Sequence, residues 1–283
     1  IESENDLSEE YLKKFYNLLV PENINFADFP LIHIIKDPVF YYVPNEALID
    51  ADNKYLIQKS IISKNLDLMK VIGVTDSITD FDSDFELVFF GNIDYEKSNF
   101  DLMNLPGSEF ELDYLKNISK ENEIKFSEFS KTEATKENFV NVKTGDLFYL
   151  SMHSVSDKIN FYDSQIYFSD DYLQIKDMLG LDFENISLIY LSGCETDASV
   201  KIPNVLPISL SSLVSNYGSK GVIGTKKTIQ DRVAAINGML FTSYYIEYGQ
   251  ISLALYKSLN EIINSNSNIS KLKYWTKFSY YGF

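Results

Sequence analysis

The chain has 283 residues, 45% of them hydrophobic, with 25 Lys plus Arg against 41 Asp plus Glu and a net charge of −16. That length and apolar content belong to a globular protein of one large or two modest domains, not to a disordered chain. The acidity argues against direct nucleic-acid binding and against an anionic membrane surface, which both need basic patches, and it would attract a basic substrate or partner.

Taken in order, residues 7–20 carry apolar side chains at helical spacing, with Asp6 or Ser8 as the N-cap. Leu31 to Ile35 and Val39 to Val43 read as strands around the turn Lys36-Asp37-Pro38. Tyr55 to Ile62 is an amphipathic stretch, and Leu87 to Gly91 is a strand. Ser108 to Glu121 is a helix introduced by Leu105-Pro106-Gly107, and residues 128–146 are a polar connection with a short helix near Ala134. Ile159 to Phe168 reads as short strands, Asp170 to Met178 as a helix, and 195–208 as an irregular loop. Leu210 to Tyr217 is a helix stopped by Gly218, and Gly221 to Thr225 is a strand. Helices over 230–247 and 250–264, a surface loop at 264–270 and a strand over Tyr274 to Phe283 close the chain. Alternating strands and helices predict an α/β fold with a mostly parallel sheet flanked by helices. No apolar run approaches the roughly 18 residues of a spanning helix. The chain opens Ile1-Glu2-Ser3 without methionine, so a piece of a longer polypeptide is expected.

The chemistry is concentrated by scarcity. One cysteine and two histidines exclude an internal disulfide framework and a four-ligand Cys/His zinc site. No metal or cofactor is expected, and a reducing, cytoplasmic setting is. Two apolar runs, Leu147 to Met152 and Leu188 to Gly193, end at His153 and Cys194, 41 positions apart. Open α/β sheets place their sites beyond the carboxyl ends of parallel strands. Such a pair suits a thiol nucleophile with an imidazole base, and the turns after the strands can offer the amides of Ser154 and Cys194 to an oxyanion. A lone buried cysteine is also commonly an inert small hydrophobe. His33, in the apolar run Pro30 to Ile35, reads better as a core histidine than as the base. Asp157 could orient His153 but reads better as a solvated loop carboxylate. Gly221 to Thr228 lacks the spacing of a phosphate-binding loop.

At these residues the chain resembles the CHAT family of caspase-like cysteine peptidases, relatives of separase and the caspases. Leu191-Ser192-Gly193-Cys194-Glu195-Thr196 is similar to the family's "Leu-Ser-Ala-Cys-Glu-Thr", and Leu150-Ser151-Met152-His153 to its histidine strand. Val43-Pro44-Asn45-Glu46-Ala47-Leu48 resembles "Pro-Phe-Glu-Ala-Leu", and Leu105-Pro106-Gly107-Ser108 with Glu111 resembles "Leu-Pro-Gly-Ala…Glu". Lys131 to Thr135 resembles "Gly-x-x-Ala-Thr", Gly221 to Thr225 the strand after the cysteine, and Tyr274 to Phe278 with Gly282 the closing "Trp-Ala-x-Phe…Gly".

The resemblance implies a cysteine endopeptidase acting on a protein partner, with His153 as base, Cys194 as nucleophile and the amides of Ser154 and Cys194 as the oxyanion hole. It implies a non-catalytic caspase-like lobe over 1–140 and an active lobe over 141–283. It also implies a TPR or other sensor region in the full-length chain, and a regulated, possibly defence-related, bacterial effector role. Asp231, with Gln230 beside it, matches the acidic residue that holds a basic P1 side chain in separase-like relatives, although the nearby Lys226 and Lys227 could instead favour an acidic or neutral P1 residue and Asp231 could instead cap the 230–247 helix. Ser154 replaces the usual glycine, which could distort the oxyanion hole. That departure, with Lys227, motivates the competing expectation of an inactive protein-interaction module.

Overall fold

Runs with no polar face, such as Leu147 to Leu150, suit strands covered on both sides. The computed structural model describes residues 8–35, 43–65, 81, 84–157, 159–178, 180–193, 196, 209–216 and 219–282. The strands are β1 (Leu31–Ile35), β2 (Ile61–Asn65), β3 (Glu86–Gly91), β4 (Lys125–Ser130), β5 (Gly145–Ser151), β6 (Ser154–Val155), β7 (Gln165–Tyr167), β8 (Tyr172–Gln174), β9 (Ile186–Leu191), β10 (Gly221–Thr225) and β11 (Phe278–Gly282). The helices are α1 (Glu9–Leu19), α2 (Pro106–Glu121), α3 (Lys136–Asn141), α4 (Ile175–Met178), α5 (Leu210–Asn216), α6 (Asp231–Tyr248), α7 (Ile251–Asn264) and α8 (Leu272–Trp275).

Eight strands form one sheet in the order β1-β2-β11-β10-β9-β5-β3-β4. Every neighbouring pair in it is parallel except β10 with β11. β6, β7 and β8 form a small antiparallel sheet. The mostly parallel α/β architecture expected from the sequence is therefore present.

The period-2 alternation of each central strand explains the continuous apolar runs. Leu87, Phe89, Leu147, Tyr149, Leu188 and Tyr190 enter one core, with Leu112 and Leu115 of α2, Phe241 of α6 and Leu255 of α7. Val88, Phe90, Phe148, Leu150, Ile189 and Leu191 enter a second core on the opposite face, with Phe139 of α3, Val214 of α5 and Leu173 of β8. On the first face Phe89, Tyr149, Tyr190 and Phe241 stack in sequence, the Tyr149–Tyr190 centroids 4.8 Å apart.

Several local expectations change. Ser8 sits at the N-cap of α1 but makes no side-chain cap bond. Tyr55 to Ile62 is a 3-10 turn at Leu56–Gln58 followed by the start of β2. Residues 125–130, not expected to be regular, form the edge strand β4, on which Lys125 and Glu128 are exposed. Of the expected helix 170–178, the first part is β8, because Leu173 pairs with Ile166 across the hairpin and is buried, and one helical turn follows. Tyr274 and Trp275 end α8, so the last strand begins at Phe278. The expected strand at 39–42, the loop 197–208 and Gly218 lie outside the described residues.

Candidate active site

β5 delivers His153 at the carboxyl edge of the sheet centre. Its Nε2 lies 2.8 Å from the Met103 carbonyl oxygen. A carbonyl only accepts, so Nε2 carries the hydrogen, and in the neutral ring the lone pair is on Nδ1. Nδ1 has no hydrogen-bond partner among the described residues. Tyr95 packs against the imidazole in a T-shaped contact at a centroid distance of 4.8 Å. Its hydroxyl accepts from His153 N at 3.2 Å and donates to the Tyr167 carbonyl at 2.8 Å. Backbone and ring are thus held from three directions.

Cys194 and Glu195 lie outside the described residues, but both flanks are defined. A Cβ at Gly193 would stand 2.7 Å from the Met152 carbonyl oxygen and 3.2 Å from Ser154 Oγ. Only glycine lets the two chains approach that closely, and the approach brings the residue before Cys194 against both neighbours of His153. On the far flank, Thr196 Oγ1 accepts from Thr225 N at 2.9 Å and its carbonyl accepts from Ser211 N at 3.2 Å. Thr225 Oγ1 donates to the Gly193 carbonyl at 2.5 Å.

Ser154 opens β6. Tyr167 N donates to the His153 carbonyl at 3.0 Å, and Ser154 faces Ile166 across the ladder. That is the pattern of a non-hydrogen-bonded pair, so the Ser154 N–H faces away from β7. Ser154 is not among the described non-glycine residues with positive φ, which are Asn53, Asn92, Glu123 and Lys131. The serine in place of glycine therefore carries no left-handed strain. Lys131, by contrast, has φ 51° where the family pattern has glycine.

Beneath the strand ends lies Glu111 of α2, 1% exposed. Its Oε1 accepts from Tyr149 Oη at 2.6 Å and Ser192 Oγ at 2.5 Å, and its Oε2 accepts from Ser151 Oγ. Burial pushes its carboxyl up to about 7 against the pull of these hydroxyls, and the Asp231 charge adds to the rise.

Asp231 is the first residue of α6, with Gln230 at the N-cap. It does not cap its own helix. Its Oδ2 accepts from Gly107 N, in the first turn of α2. Burial raises its carboxyl above the usual value, while the Gly107 bond and the charge of His153 lower it. Oδ1 has no partner among the described residues. Gln230 is exposed beside it.

The other sequence candidates separate from this place. His33 is on β1 at the sheet edge, with four strands between it and β5. Asp157 accepts from Ile159 N and Asn160 N and so closes its own loop. Lys226 Nζ donates to Glu46 and to the Thr276 carbonyl. The motif residue Glu46 thus takes up one of the two lysines near Asp231. Met103 and Tyr95 give no sequence signal, since a backbone carbonyl and a long-range hydroxyl have none; Glu111, Thr196 and Thr225 stand in motifs without an assigned task. Among the described residues no group of three or more His, Cys, Asp or Glu could hold a metal ion, and no helix is long and apolar enough to cross a membrane.

The sequence profile of the CHAT domain family matches residues 9–282, and the chain belongs to that family. No curated protein matches it in sequence. Among solved structures it is similar to separase of Saccharomyces cerevisiae in complex with securin (TM-score 0.58, 11% identity, 89% of this chain and 15% of that one). It is also similar to the Porphyromonas gingivalis gingipain RgpB in a complex of its pro- and mature domains (TM-score 0.59, 10% identity, 97% of this chain and 67% of that one). Another structure, of the Arg-specific cysteine proteinase gingipain R, matches with TM-score 0.57 and 9% identity over 97% of this chain and 66% of that one. The chain thus spans 15% of the separase and about two thirds of the gingipain chains. The fold is that of the caspase-like cysteine peptidases.

Proposed function

We propose that the chain is a cysteine endopeptidase cleaving a protein partner, with Cys194 as nucleophile and His153 as general base. The observation that carries this reading is the close approach of Gly193 to Met152 and Ser154, which joins the cysteine strand to the histidine strand one residue from each reacting group. His153 Nδ1 takes the Cys194 thiol proton, and the thiolate attacks the peptide carbonyl carbon. The carbonyl π pair moves to oxygen, which the N–H groups of Ser154 and Cys194 stabilise. Collapse breaks the C–N bond, and the imidazolium gives its proton to the leaving amine. Water, deprotonated by the same Nδ1, opens the thioester, and the acid departs as the thiol is restored.

The P1 side chain is basic in this reading. Asp231 would meet it with Oδ1 while Oδ2 keeps the Gly107 N–H, with Gln230 at the rim. Lys226 is drawn off to Glu46. The Arg specificity of gingipain R is that protein's and is a parallel here. We further propose that residues 141–283 carry the reacting groups while 1–140 support them through Met103 and Glu111. Family resemblance alone supports a sensor region, TPR or other, in the full-length chain and a bacterial defence-type effector role, and the single cysteine supports a reducing, cytoplasmic setting.

The test is cleavage of a proteome-derived peptide library by the wild type and Cys194→Ala, read by mass spectrometry. Cuts after Lys or Arg with the wild type alone are expected. Equal cutting by Cys194→Ala would overturn the peptidase reading, and no cutting by either would favour the interaction module.

A further inference from the structure

We propose that Glu111 is a positioning residue for the dyad: its buried carboxylate sets the spacing between the end of the histidine strand and the end of the cysteine strand. The inference rests on the His153/Cys194 reading above. Each of the three hydroxyls that donate to Glu111 belongs to one of those two strand ends. Tyr149 and Ser151 lie on β5, four and two residues before His153, and Ser192 lies just beyond β9, two residues before Cys194. β5 and β9 are already paired through Leu150 and Leu191. One more ladder bond follows, from Ser192 N to the Leu150 carbonyl at 2.8 Å, and Glu111 then joins the side chains of Ser151 and Ser192 at the end of the β5–β9 pairing.

The clamp is itself held in place. Ser108, one turn before Glu111 on α2, donates to the Ser151 carbonyl at 3.1 Å and accepts from Asn92 N at 2.7 Å. Asp231 holds the start of the same helix through Gly107 N. α6 closes over the group at Gly238, where a Cβ would stand 3.2 Å from Glu111 Oε1. No cation among the described residues bonds the carboxylate. The titratable groups facing it are Tyr149 from β5, Tyr190 from β9 and Asp231 from α6. If shape alone were needed, an apolar side chain would fill the space at lower cost than a buried carboxyl. A carboxylate has the acceptor capacity to take three hydroxyls from two chains at once.

Two readouts test this on the 283-residue chain. One is kcat and KM on a cleaved peptide, per titrated active site. The other is the pH profile of Cys194 alkylation by iodoacetamide, which reports the coupling of thiol to imidazole and decides even without turnover. Glu111→Gln should lower kcat on the order of 10–100-fold with KM nearly unchanged, and should move the alkylation midpoint up toward that of His153→Ala. Ser151→Ala and Ser192→Ala should move both readouts less, in the same direction, and should not add to Glu111→Gln. These milder variants carry the test if Glu111→Gln does not fold. Wild-type kcat and a wild-type alkylation profile in these variants, with only stability altered, would overturn the positioning role. A wild-type profile that His153→Ala leaves unchanged would instead overturn the dyad, and the positioning role with it.

Discussion

Two buried glutamates sit at opposite regions of the same sheet and are satisfied in different ways. Glu46, 5% exposed, receives Lys226 from the loop after β10 and Lys64 from β2, the latter at 3.6 Å. Glu111, 1% exposed, receives hydroxyls alone. A paired charge locks two segments together. A carboxyl among hydroxyls keeps its proton within reach of neutral pH, as the rise to about 7 records. The sheet thus uses a salt-bridged carboxylate where N-terminal strands meet the β10 loop and a titratable one beneath the candidate site.

The contrast is sharpest in stability. Glu46→Ala removes the carboxylate shared by two lysines, one of them deeply buried, and should cost about 3–5 kcal/mol in urea unfolding, with kcat per active site retained. A loss of activity without a loss of stability would reverse the roles of the two glutamates. For Glu111 the folded carboxyl is raised above its ordinary value of 4.5, so the folded chain holds this proton more tightly than the unfolded one. Its contribution is most favourable below about pH 4.5 and falls by about 3 kcal/mol as pH rises through 7. Unfolding free energies at pH 5 and 8 should show that slope in the wild type and lose it in Glu111→Gln.

Gly238→Ala would place its Cβ 1.7 Å from Tyr149 Oη. Overpacking of that kind should cost about 1–3 kcal/mol and should slow turnover by displacing a donor to Glu111. An equally stable, equally active variant would show that α6 does not confine the network. The smallest effect is expected at Asp231→Asn, where the amide oxygen can still accept from Gly107 N. The fold should hold while the preference for a basic P1 residue drops about tenfold, roughly 1.4 kcal/mol, in the peptide-library profile. An unchanged preference would remove Asp231 from the P1 pocket.

The parts legible in the sequence were those that local pattern determines. The runs at 147–150 and 188–191 announced central strands because both faces are apolar, and they placed His153 and Cys194 at strand ends. β4 escapes the sequence pattern because Lys125, Ser127 and Glu128 on an open edge look like a loop, and β8 reads as helix because three residues are too few to show a period. Glu111 was visible as a motif residue without a task, since its partners lie 40 and 81 positions away and only the fold unites them. Met103 could not be read at all, because what holds His153 is a carbonyl that every residue has.

On the proposed reading, the meeting ends of β5 and β9 make His153 and Cys194 one reactive unit. The most direct measurement is intact mass after incubation with a Lys- or Arg-terminated peptidyl acyloxymethyl ketone, followed by peptide mapping. A single adduct on Cys194 in the wild type, absent in Cys194→Ala and strongly slowed in His153→Ala, is the predicted result. No adduct in the wild type, or one formed at the same rate without His153, would contradict it.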